Sequence, residues 1–174
     1  MNGRTVVTPG SYFRQLNILF FALIMGQILF VVIGLFINSN QSVAVSFPDD
    51  LEKVLILLVP IVVVINVSLS FLLFVAKIKP LRNINDWEQQ LKGYRSALLL
   101  RYAIMEAPSL FSVVVYLLTG NNTALLFIPL ILLLFFTQRP RPAALAKHLA
   151  LHDDERILLQ DKEAVLYEQE WAVS

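Results

Sequence analysis

LNILFFALIMGQILFVVIGLFI, residues 16–37, is an unbroken apolar run relieved only by Asn17, Gly26, Gln27 and Gly34. A bilayer's hydrocarbon core takes about 20 such residues in a helix. The run is too long for the core of a secretion signal, and FINSNQS follows it rather than a small-x-small cleavage site. It therefore reads as a retained transmembrane helix. Three further segments follow the same logic: residues 54–76, residues 97–118, and the shorter stretch 123–138. The last would span only about 24 Å at 1.5 Å per residue. It would borrow the polar turn before it or thin the bilayer.

Composition agrees. Hydrophobic residues make up 57% of the 174, with a mean hydropathy of +0.67, against about 45–50% apolar in a soluble domain. There is no cysteine, which excludes disulfides, CxxC redox chemistry and thiolate metal sites. The expected fold is all-α: an integral membrane protein of four helices in two tandem hairpins over residues 1–142, followed by an acidic cytoplasmic tail, 143–174. Residues 1–142 hold 11 Lys and Arg against 6 Asp and Glu, and residues 143–174 hold 3 against 7.

Lys and Arg also set the orientation. Arg4 and Arg14 precede the first helix, Lys77 to Arg95 separate the second from the third, and Arg139 and Arg141 follow the fourth. The other two loops carry only Lys53. Both termini are expected in the cytoplasm.

Displacing the chain by 81 residues lays 13–40 over 94–121 without gaps. Arg14 meets Arg95, Ala22 meets Ala103, Leu29-Phe30 meets Leu110-Phe111, and Asn40 meets Asn121. LLVPIVVVI and LFIPLILLL match proline to proline in the helices that follow. The pattern predicts two hairpins duplicated in parallel.

The third segment sets a carboxylate, Glu106, in the middle of an apolar run. Intramembrane charges are costly and usually face a bundle interior. Tyr102 and Ser109 stand on its helical face, and Gln27 and Asn66 lie at similar depth in the first two helices. A polar cluster of Glu106, Gln27, Asn66, Ser109 and Tyr102 is expected, with Glu106 uncharged and hydrogen-bonded to Gln27, Asn66 or a tyrosine. Ala22, Gly26 and Gly34 suggest a close-packing face on the first helix. Pro108 removes a backbone hydrogen bond and suggests a kink beside Glu106. In the tail, leucines at helical spacing suggest short amphipathic helices, with Asp153 or Asp154 capping the second. His148 and His152 are spaced i, i+4, too little to indicate a metal.

RYAIMEAPSLFSVVVYLLTGN, a short apolar helix and RPRP, within residues 94–142, resemble small four-helix integral membrane proteins of bacteria to which no function is attached. The resemblance implies a bacterial inner (cytoplasmic) membrane. The expected partners are the lipid bilayer and a homo-oligomer or larger membrane complex, with no nucleic acid, cofactor or metal. No nucleophile and base stand together, so an enzyme is not expected. Two functions fit: an accessory or structural subunit that binds a partner, or a small proton- or cation-coupled transporter module using Glu106.

Overall fold

A computed structural model describes residues 3–40 and 48–171. The order of elements is β1 (Gly3–Val7), α1 (Pro9–Asn40), α2 (Asp49–Leu81), α3 (Trp87–Thr119), a short 3-10 segment (Asn122–Leu126), α4 (Phe127–Thr137), α5 (Pro142–Leu149), α6 (Asp153–Gln160) and β2 (Tyr167–Trp171). Helices α1, α2 and α3 are long and apolar enough to cross a membrane. The segment from Asn122 to Thr137 with α5 counts as a fourth span only if the broken pair is taken as one. Residues 41–47 of the expected loop between the first two helices lie outside the described residues.

The three long helices overrun the apolar segments because their ends are set by caps rather than by hydropathy. Thr8 stands before Pro9, the first helical residue of α1. The Ser11 N–H donates to Thr8 Oγ1 at 3.3 Å, and the Thr8 N–H donates to Ser11 Oγ at 3.0 Å, a reciprocal capping box. Asp49, Asp50 and Glu52 occupy the first turn of α2, where the helix dipole favours negative charge. Asp86 caps α3 by accepting from the Glu88 N–H at 2.9 Å. That helix ends at Gly120, whose φ of 69° closes it in the left-handed region. Asn121 then accepts from the Thr123 N–H at 2.9 Å and opens the 3-10 segment.

Pro108 is accommodated inside α3, which runs unbroken from Trp87 to Thr119. In α6 the capping residue is His152, one position earlier than expected. Its N–H donates to the Glu155 carboxylate at 2.8 Å, so Asp153 becomes the first helical residue. Residue Ala150, at φ 55°, ends α5 in the left-handed region. It lies between His148 and His152, so the two histidines do not share a helix.

The chain divides into two compact units. One comprises Met1–Phe20, Leu73–Leu99 and Arg139–Ser174, and the other Phe21–Leu72 and Leu100–Gln138. The first unit contains a two-stranded antiparallel sheet in which Gly3 pairs with Trp171 and Val7 with Tyr167. Its core includes Tyr12, Leu16, Phe74, Leu91, Tyr94, Leu145 and Leu159. No strand is expected from the sequence. Neither GRTVV nor YEQEW is long enough to announce one, and each is a strand because the other is beside it. The second unit buries Val59, Val63, Val115, Tyr116, Ala124 and Ile131 in a core shared by α2, α3, the 3-10 segment and α4.

Candidate functional site

The polar residues expected inside the helices separate into individual contacts. In the second unit the Ser109 hydroxyl donates to Gln27 Oε1 at 3.0 Å, and both residues are buried. Gln27 Nε2 is also buried and has no partner among the described residues. The Tyr102 hydroxyl donates instead to the Gln138 carbonyl at 2.9 Å, closing the C-terminus of α4, and its ring lies 5.1 Å from that of Phe135. Asn66 turns to its own helix and donates to the Val62 carbonyl at 2.9 Å.

Glu106 is half-buried and has no hydrogen bond among the described residues. The structure thus joins Gln27 to Ser109 and leaves Glu106, Asn66 and Tyr102 outside that pair. The reason lies in rotation about the helix axis. Equal depth along neighbouring helices brings side chains together only when their faces also agree.

The small residues of α1 divide in the same way. A Cβ placed on Gly34 would meet Val113 Cγ1 at 2.8 Å, so this glycine is where α1 approaches α3. A Cβ on Gly26 would meet nothing within 4 Å, and Ala22 is exposed. Arg101, 3% exposed, lays its guanidinium 4.2 Å from the centre of the Phe71 ring, which compensates part of its desolvation. Near the opposite end of α3, Asn38 donates to the Tyr116 hydroxyl at 2.9 Å, and Asn121 donates to Glu52 at 2.9 Å.

The first unit is held by aromatic and main-chain contacts. His148, on α5, shares a hydrogen bond of 3.3 Å with the Tyr94 hydroxyl through Nδ1. Its ring lies edge-on to Phe74 with centroids 5.0 Å apart, and its carbonyl accepts from Arg82 Nε at 2.8 Å. The Tyr12 hydroxyl donates to the Leu91 carbonyl at 2.8 Å. Gln90 bridges the turn between α2 and α3, donating to the carbonyls of Leu81 and Ile84 at 3.1 and 2.7 Å. Burial pushes the Tyr167 hydroxyl above the ordinary phenol range; Lys92 opposes the shift and Glu88 adds to it.

These contacts fasten the tail to the helix ends. The leucine spacing of 145, 149 and 159 is legible in sequence, but the His148–Tyr94 contact is not, because it joins residues 54 positions apart. Among the described residues, no group of three or more His, Cys, Asp or Glu is placed to hold a metal ion. No family model, curated protein or solved structure matches the chain, so the resemblance of residues 94–142 rests on those residues alone.

Proposed function

We propose that this chain is an accessory subunit of a bacterial inner-membrane complex, with both termini in the cytoplasm and its folded tail as the docking element for a partner. The observation that carries the reading is the construction of the first unit. Its tail is anchored through buried Leu145, Leu149 and Leu159, yet it holds Ile157 66% exposed and Val165 56% exposed. Apolar side chains presented outside the spanning segments on a well-anchored support suit a protein partner.

The topology has its own support. The chain leaves the first unit along α1, returns along α2, leaves again along α3 and returns after α4. The β1–β2 pairing favours an even number of crossings, and the 3-10 segment with α4 is the candidate for the fourth. Together they reach about 26 Å, close to the hydrocarbon thickness of about 30 Å. The excess of Lys and Arg before α1, between α2 and α3 and after α4 supports a cytoplasmic position for those segments. The duplication gains support from burial. Phe13, Leu16, Phe20 and Ile24 fall on Tyr94, Ala97, Arg101 and Met105 at the same offset of 81, and all eight are buried.

The transporter reading is less well supported. A carboxylate that carries protons needs polar neighbours to relay them, and Glu106 has no hydrogen-bond partner among the described residues.

The test is site-specific photocrosslinking in cells. A crosslinker at Ile157 or Val165 should trap one protein species reproducibly, and one at Leu72 in the apolar part of α2 should not trap it. Failure of both tail positions to trap protein would reject the docking role. For topology, a reporter active only in the cytoplasm should give signal when fused after Ala143 and none when inserted at Pro48. The reverse pattern would overturn the charge argument.

A further inference from the structure

We propose that a cleft in the first unit, lined by Arg14, Asn17, Arg139 and Lys162, binds the phosphate of an anionic phospholipid headgroup. The cleft has a volume of about 620 Å³, within the usual range for ligand sites of roughly 300–1,000 Å³. Three of its lining residues are cations, and no Asp or Glu lines it, although the tail that supplies Lys162 is acidic as a whole.

The cationic side is organised. Arg139 Nε donates to Asn17 Oδ1 at 3.0 Å. Asn17 Nδ2 in turn donates to the Phe13 carbonyl at 2.8 Å and reaches the Pro140 carbonyl at 3.4 Å. The amide thus fixes the plane of the guanidinium, whose fork matches phosphate geometry. Lys162 is brought in by a close backbone contact: the Gly10 N–H donates to the Lys162 carbonyl at 3.1 Å. A Cβ on Gly10 would lie 2.9 Å from that same oxygen. Phe13, Pro142 and Leu159 supply an apolar wall suited to the glycerol and first methylenes of a lipid.

Position argues for lipid over a soluble phosphate compound. Asn17 is the second residue of the apolar run 16–37, and Arg139 follows two residues after the end of α4. On the membrane reading of these helices, the cleft lies where hydrocarbon gives way to headgroups, and basic pockets at that depth attract anionic lipid. The inference depends on that reading and not on the accessory role, so a failed crosslinking experiment would leave it standing.

The test is lipid retention by the full chain. The protein, purified in mild detergent with equal amounts of phosphatidylglycerol and phosphatidylcholine, is examined by native mass spectrometry. The wild type should retain phosphatidylglycerol preferentially. Lys162→Gln should lower the preference about fivefold, and Arg14→Gln with Arg139→Gln about 25-fold. Lys77→Gln, a cation of the same unit outside the cleft, should change it little.

An unchanged preference in both cleft variants would overturn the proposal. So would an equal loss in Lys77→Gln and Lys162→Gln, which would mean general surface attraction. A final arm adds inorganic phosphate to protein in phosphatidylcholine alone. Phosphate that stabilises the wild type but not the double variant, without any preference between the two lipids, would overturn the lipid assignment in favour of a soluble phosphate compound. Should the double variant not fold, Lys162→Gln carries the test, because the backbone of Lys162 and not its side chain makes the contact to Gly10.

Discussion

Ser109 and Gln27, 82 positions apart, form a buried side-chain hydrogen bond of 3.0 Å between α3 and α1. A double-mutant cycle on the pair should give a coupling of about 0.6 kcal/mol, and no more than about 1.7. Ser109→Ala should be the costlier single change. It leaves Gln27 Oε1 as unpartnered as Nε2, whereas in Gln27→Leu the serine hydroxyl can turn to its own helix. Unfolding in mixed detergent micelles measures all four corners. Strict additivity would show that the pair contributes nothing.

Gly34 and Gly26 should answer differently to the same substitution. Gly34→Ala drives a methyl into Val113 and should cost about 1–3 kcal/mol, with partial recovery on adding Val113→Ala. Gly26→Ala should stay within about 0.5 kcal/mol of the wild type. Equal effects at the two sites would contradict the close approach at Gly34.

His148→Ala removes the ring contacts to Phe74 and Tyr94 and should loosen the tail without unfolding the helices. A loss of about 1–2 kcal/mol of local stability corresponds to roughly 5–30-fold faster amide exchange in α5. Amides in the middle of α2 should keep their wild-type rates. Uniformly faster exchange along the chain would instead mark His148 as part of one global core.

Glu106 has no hydrogen-bond partner to lose among the described residues. Glu106→Gln and Glu106→Leu should therefore fold as well as the wild type, and the leucine variant should be the more stable of the two, since it removes a carboxyl from an apolar stretch. Thermal unfolding in lipid nanodiscs distinguishes the outcomes. Destabilisation by leucine with rescue by glutamine would mean that Glu106 serves as interhelical glue.

Sequence alone determined which segments are apolar enough to span a membrane, because partition into hydrocarbon is a property of local composition summed over about 20 residues. It also carried the leucine spacing of the tail, a local rule of side-chain periodicity. Tertiary structure decided which polar residues meet. Gln27, Asn66 and Glu106 stand at similar positions along their apolar runs, but only Gln27 meets Ser109, and rotation about a helix axis is fixed by packing against the neighbours. Tertiary structure also decided the β1–β2 sheet and the convergence of Arg14, Arg139 and Lys162 on one cleft. Those residues lie far apart along the chain, and no periodicity in the sequence records that folding brings them together.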